Sequence, residues 1–249
     1  ARMTRLCEQA DLLAVNSPIA LQRFRRVLLD FGREDIAGRL RLIPSPVTPE
    51  ACHEPAVAKK PQIAAAGRWQ AYQKDAPKLM RVLGRALSCE PEYSAVLFGS
   101  GTDYLQRLRA DLPAGVRSRI QIPGYVTRAA LLRTYQESQI LLLSSRYESL
   151  HLPSVEALCC GCSVVSPAGI PPTCYMAGAS SGTVAMSQSA PDLADALCAE
   201  IEAWRQGERD PQSMSHFWRD RFLPARFAEA VLKYFDPAPA AGAKTACKV

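Results

Sequence analysis

Across 249 residues, a hydrophobic content of 48% is ample for one large domain or two small ones with packed cores. No run of about 18 apolar residues occurs, which excludes a membrane-spanning helix, and nine scattered cysteines show neither a disulfide framework nor a CxxC zinc pair. The net charge of +6, from 30 Lys and Arg against 24 Asp and Glu, is a mild excess that a solvated exterior explains; anionic ligands or a membrane surface are also compatible with it, and no nucleic-acid partner is expected.

Residues 2–10 read as a helix and 12–15 as a strand, after which Ser17 and Pro18 cap a basic amphipathic helix running to about residues 31–32. A short strand is expected at 39–44. Residues 44–61 contain five prolines and little periodicity, which reads as a linker. Strands are then expected near 63–66, 94–98, 119–122, 139–143, 163–166 and 182–185, and helices near 77–88, 103–111, 128–138, 153–160 and 192–205. Alternation of this kind means βαβ units and a doubly wound parallel α/β sheet. A further helix is expected at 224–235, behind the segment 218–222, whereas the tail 236–249 has too few large apolar groups to fold. The chain opens without an initiator methionine, which reads as a fragment or a processed piece. In Cys159-Cys160-Gly161-Cys162 the thiols act as small buried hydrophobes, and a reduced, cytoplasmic setting fits the cysteine usage.

The chemistry concentrates after the apolar run 139–143. Pro153 suits the first position of a helix and Gly161 the turn that follows one. Glu148 therefore sits in a loop at the carboxyl end of a parallel strand, and Glu156, eight positions later, in the first turns of the next helix. In an open α/β sheet this crevice is where ligands bind, with anions favoured at the helix N-terminus. A carboxylate pair there suits the hydroxyl groups of a ribose or a sugar; the plainer alternative is that Glu156 merely favours the helix start and Glu148 is solvated.

Gly67 and Arg68 follow the first strand of the main domain, and Lys74 closes the polar loop beyond them. Two cations there can neutralise a diphosphate, Arg through a fork of donors and Lys as a point charge, unless they are simply two surface cations among 30. Gly99, Ser100 and Gly101 lie between a strand and a helix, where glycine lets backbone approach a ligand. Tyr104 stands where a dinucleotide fingerprint has its third glycine, so a tight strand–helix turn is an equal reading. Tyr125 and Val126 lie in a turn that ends another strand.

The phrase from Ser144 through Gly161 resembles the Glu-x7-Glu motif of retaining glycosyltransferases of GT-B fold, glycosyltransferase family four, which includes many bacterial mannosyl- and glucosyltransferases. Gly67, Arg68 and Lys74 resemble that family's Gly-Arg…Lys element, and Ile122-Pro-Gly-Tyr-Val126 its Gly-Tyr-Val element. Residues 10–17 resemble the last strand–helix unit of its N-terminal domain. Residues 42–45 resemble its linker entry, although Ser45-Pro46 stands where Asn-Gly is usual.

The resemblance implies a Rossmann-like GT-B C-terminal domain with partial N-terminal-domain elements at its flanks. Residues 1–44 would end the N-terminal, acceptor-side domain, 45–61 form the interdomain linker, 62–210 bind the nucleotide sugar, 211–235 form a C-terminal helix crossing back, and 236–249 trail as a tail. It also implies transfer of a sugar, with retention, from a UDP or GDP sugar. Glu148 would hold the donor sugar, Glu156 the ribose, Arg68 and Lys74 the diphosphate, and Tyr125 and Val126 the base. The backbone at Leu150, His151 and Leu152 would offer N–H groups to the phosphates and sugar; glycine is common where His151 stands.

With no Asp-x-Asp, HExxH or GxxxxGK[ST], no metal or other cofactor is expected, the leaving diphosphate being stabilised by cations and helix dipoles. The acceptor, a glycan, lipid or protein, would be held by an N-terminal domain preceding residue 1, so this piece would bind donor without turning it over. Association with a membrane surface is compatible with that arrangement. Two alternatives stay open, a non-catalytic nucleotide-sugar-binding scaffold and a sugar-nucleotide epimerase of related fold.

Overall fold

A computed structural model describes residues 2–48, 58–178 and 180–235. The tail at 236–249 and the middle of the expected linker, 49–57, lie outside the described residues. A small lobe comes first, with α1 (Arg2–Gln9), β1 (Leu13–Val15), α2 (Pro18–Asp30), α3 (Glu34–Arg39) and β2 (Leu40–Leu42). The main domain contains β3 (Lys60–Arg68), α4 (Ala76–Cys89), β4 (Ser94–Ser100), α5 (Thr102–Ala110), α6 (Ala114–Arg117), β5 (Ile120–Gly124) and α7 (Arg128–Glu137). It continues through β6 (Ser138–Leu142), α8 (Leu152–Cys159), β7 (Ser163–Ser166), α9 (Pro171–Met176), β8 (Gly182–Val184) and α10 (Ala190–Arg205) to α11 (Pro211–Phe222) and α12 (Pro224–Phe235).

The main sheet has six strands in the order β5-β4-β3-β6-β7-β8, every neighbouring pair parallel. The chain steps outward from β3 to β5, returns to β6 beside β3, and steps outward the other way. The order therefore reverses between β3 and β6, which opens a crevice at their carboxyl ends. β3 can be central because Ile63, Ala64 and Ala65 have no exposure, and small residues let helices close over both faces.

Alternate strand residues serve opposite faces. Ile63, Ala65, Leu97, Ile140, Leu142 and Val165 pack with α4, α5 and α10, while Ala64, Leu141 and Val164 pack with α7, α8 and α11. Each buried Ile, Leu or Val side chain contributes about 1.5–3 kcal/mol relative to exposure.

Four helices go beyond the sequence expectations: α3, α6, α9 and α11. α6 is a single four-residue turn, too short for a periodic pattern, and α9 begins with two prolines. α11 buries the apolar residues Met214, Trp218 and Phe222, a stripe at i, i+4 and i+8 whose intervening residues are polar apart from the exposed Phe217. The segment 211–235 is thus two helices where one was expected. The break is at Leu223, whose extended backbone is what a following proline imposes. β3 likewise starts at Lys60, two residues ahead of the expected boundary at 62.

The lobe holds a parallel pair, β1 with β2, over a small core of Cys7, Leu28, Ile36, Ala37 and Leu40. α2 begins as its sequence demands, with Ser17 Oγ accepting from the Ala20 amide and Pro18 in the first turn. Beyond the lobe the chain joins the main domain at Val47, whose side chain packs with Trp218 and Phe222 and whose amide donates to Phe222 O at 3.1 Å. Phe227 and Val231 of α12 line a cleft of 480 Å³ with Leu12, Val15 and Ile43 of the lobe.

Candidate functional site

Two loops meet at the crevice between β3 and β6. The loop after β3 passes through a short 3-10 turn, Tyr72–Lys74, and the loop after β6 spans 143–151. Lys74 Nζ lies 2.6 Å from Glu148 Oε1, and both side chains are largely withdrawn from solvent, at 12% and 8% exposure. Ser145 Oγ donates to the same oxygen at 2.6 Å, and Gln73 Nε2 donates to Glu148 Oε2 at 3.0 Å. The backbone is stitched as well: the Arg146 amide donates to Gln73 O at 2.8 Å, and Ser144 Oγ to Lys74 O at 2.7 Å. A carboxylate so surrounded is held in one orientation, and exchanging some of these donors for ligand hydroxyls keeps its hydrogen bonds satisfied.

Arg68 is exposed at the end of β3 and pairs with no carboxylate among the described residues. Gly67 precedes it, and a Cβ on Gly67 would meet the Lys74 stem at 3.4 Å, so the lysine lies over the glycine. The crevice thus presents one cation already engaged with Glu148 and one uncommitted cation beside it.

Glu156 is buried in α8, and its Oε1 lies 2.6 Å from Arg128 Nη2 at the start of α7. Burial pushes its carboxyl above the usual range, and Arg128 pulls it back in part. Arg128 brings the loop carrying Tyr125 and Val126 to the first turns of α8. Tyr125 itself is 91% exposed, and Val126 is half-buried.

Leu150, His151 and Leu152 lead into α8, which starts at Leu152, one residue ahead of the expected Pro153. His151 adopts the left-handed conformation at φ 62, which glycine adopts freely and L side chains rarely do. Its buried ring is held by Nδ1 at 2.7 Å from Ser154 Oγ, while Nε2 has no partner among the described residues. Burial, with Lys74 nearby, holds the imidazole well below its ordinary pKa and therefore neutral.

The Gly99-Ser100-Gly101 turn packs against the loop after β3. Gly99, at φ 114, faces Gly67 so closely that a Cβ would stand 1.9 Å from Gly67 O. A Cβ on Gly101 would stand 3.0 Å from the Gln70 amide, and Ser100 O accepts from the Trp69 amide at 2.9 Å. These glycines therefore have a packing reason of their own.

Gln73, Asp75, Ser145 and Arg146 were not among the expected site residues, although Ser145 and Arg146 lie within the phrase from Ser144 through Gly161. Asp75 carried a local signal, an Asp two residues before Pro77, which marks a helix N-cap, and its Oδ1 accepts from the Lys78 amide at 3.3 Å. Gln73 and Arg146 act across the crevice, where no local pattern reports them, and Ser145 bonds within its own loop to Glu148, three positions on. Among the described residues no group of three or more His, Cys, Asp or Glu could hold a metal ion.

Solved structures share this architecture. A TarM variant from S. aureus, in complex with fondaparinux, alpha-GlcNAc-glycerol and UDP, superposes with TM-score 0.74 at 14% identity, over 92% of this chain and 45% of that one. Sucrose-phosphate synthase from Thermosynechococcus elongatus gives 0.72 at 18% identity, over 93% and 59%. The pneumococcal O-GlcNAc transferase GtfA, in complex with UDP and GlcNAc, gives 0.70 at 18%, over 91% and 45%. The chain thus spans about half the length of these structures, and its fold is that of GT-B glycosyltransferases. No curated protein matches it in sequence. Residues 60–202 match the family described as Glycosyl transferases group 1, and the chain belongs to that family.

Proposed function

We propose that this chain is the donor-binding half of a retaining glycosyltransferase that takes its sugar from a nucleoside diphosphate. One observation carries the reading: the Glu148–Lys74 pair at 2.6 Å, largely withdrawn from solvent in the crevice between β3 and β6 beside the uncommitted Arg68. The complexes of TarM and GtfA with UDP support it by analogy of fold.

With donor bound, Lys74 and Arg68 lie against the diphosphate and Glu148 turns its oxygens to hydroxyls of the donor sugar. Glu156 accepts from the ribose, and Tyr125 with Val126 flanks the base. Transfer forms a bond from the acceptor oxygen to the anomeric carbon as the bond to the diphosphate oxygen breaks. The charge left on the diphosphate is stabilised by fixed cations that need no rearrangement at that moment. The acceptor site belongs to a further domain, and donor binding needs no divalent ion.

Calorimetry with UDP and GDP tests the reading. Glu156→Ala removes an acceptor of charged hydrogen bonds, a loss of about 1.5–3 kcal/mol, and affinity falls about tenfold or more. Unchanged affinity in a folded variant removes Glu156 from the site. Binding abolished by EDTA and rescued by magnesium contradicts metal independence. Retention is checked on a longer chain that turns over, by the anomeric configuration of its product in NMR spectra.

A further inference from the structure

The loops that frame the crevice are joined by a charged cluster lying beside the motif residues. Asp75 follows Lys74, and Arg146 precedes Glu148 by two positions. Asp75 is buried and left-handed at φ 48, a conformation that glycine would take without strain. Its carboxylate holds Arg146 at 2.9 Å, with Lys78 at 3.7 Å, and caps α4. The Arg146 guanidinium in turn stacks on the Tyr72 ring at 4.4 Å to the centroid. Both loops are thereby clamped at points next to the two groups that face the crevice.

The cluster reaches further round the carboxyl edge of the sheet. Lys78 Nζ donates to Gln188 O at 3.3 Å and to its Oε1 at 3.2 Å, and Gln188 Nε2 donates to Ala168 O at 2.6 Å. The loops after β7 and β8 are thus tied to the same acid. Lys78 makes only long contacts, so it is a poor substitute for Arg146 as the partner of a buried carboxylate.

We infer that Asp75 and Arg146 are positioning residues for the donor site, their ion pair setting the spacing of Lys74 and Glu148 across the crevice. This rests on reading the crevice as a nucleoside-diphosphate-sugar site. Neither residue touches the donor. Without Arg146, the buried acid is left with Lys78 at 3.7 Å, and the two loops lose one of the bonds that fix one against the other, the ion pair outside the motif residues themselves.

The test uses UDP and GDP as calorimetric probes on the whole chain and on Asp75→Gly, Arg146→Ala, Arg146→Lys and the double variant Asp75→Gly with Arg146→Ala. Glycine keeps the left-handed backbone at position 75, so Asp75→Gly removes the carboxylate without straining the turn. Each of Asp75→Gly and Arg146→Ala weakens nucleotide binding about tenfold or more. The double variant is no weaker than the worse single one, because both remove one interaction. Arg146→Lys recovers part of the loss, since an ammonium pairs with Asp75 but neither forks nor stacks. In the variants that break the pair, hydrogen exchange at the Arg146 amide, bonded to Gln73 O, speeds up with no nucleotide present.

If the unaltered chain binds neither UDP nor GDP, the donor-site reading itself falls and this inference falls with it. If it binds and the variants bind equally well, or lose affinity additively in the double variant, the positioning role alone is overturned. Lower thermal stability at unchanged nucleotide affinity means a merely structural pair and overturns it too.

Discussion

The main domain and the small lobe use the same local devices, short apolar strands paired in parallel and helices with side-chain caps, yet they reach different degrees of closure. In the main domain each central strand is flanked on both sides, and helices cover both faces, so Ile63, Leu97, Ile140 and Val165 have no exposure. In the lobe, two strands of three residues pair only with each other, and Leu6 and Phe31 stay 62% and 79% exposed. Parallel strands depend on cover from both faces and from neighbouring strands. The lesson is that a parallel βα unit carries little stability of its own and takes most of it from the units beside it.

The largest effect that sharpens this contrast comes from two glycines with positive φ. Gly99→Ala places a Cβ 1.9 Å from Gly67 O, inside the central β3–β4 pair. It costs about 3 kcal/mol or more, because strands locked into a sheet cannot separate to admit it. Gly32→Ala, at φ 66 with nothing within 4 Å, carries only the left-handed penalty of about 1–2 kcal/mol. Denaturant unfolding of the two variants measures both, and equal losses would break the contrast.

A second comparison uses buried aliphatic residues. Ile140→Ala, in β6, destabilises the main domain by about 2–5 kcal/mol, whereas Leu28→Ala loosens the lobe and leaves the main domain close to its full stability. Hydrogen exchange reads this region by region. Amides of β1 and β2 exchange faster than those of β3 and β6 already in the unaltered chain, and Leu28→Ala accelerates only the former. Equal protection in both regions would merge them into one cooperative unit.

The smallest effect concerns pH. The lobe contains no histidine, whereas buried His151 in the main domain stays neutral while the unfolded chain takes up a proton below about 6.5. The unfolded state then binds more protons, so this group costs stability as pH falls from about 7 to 5. His151→Gly removes that dependence, keeps the left-handed turn and eliminates the unpartnered Nε2. Its melting temperature therefore falls less than the parent's on acidification, and identical pH profiles for the two chains would show that the imidazole is not held neutral.

Much of this was legible in the sequence because it is written within a few residues. The six strands of the main sheet and the helices at 76–89, 128–137 and 190–205 announce themselves through apolar runs, caps and turns. Glu148, Glu156, Arg68 and Lys74 stand out because a loop at a strand's carboxyl end and a helix start are recognisable locally. α11 was not legible, since its three buried apolar residues count as a stripe only once α8 and the sheet are there to receive them.

By itself, the sequence determined the parallel α/β class, its family and the placement of the charged motif residues at the ends of strands. Only the tertiary structure decided that Lys74 reaches Glu148 across 74 positions, that Arg128 reaches Glu156 across 28, and that Asp75 meets Arg146. It likewise decided that Gly99 is demanded by the carbonyl of Gly67 and not by a ligand alone. The reason is physical: caps, periodicity and turn chemistry act between near neighbours in the chain, whereas these contacts depend on the strand order that sets β4 on one side of β3 and β6 on the other, a property of the whole sheet.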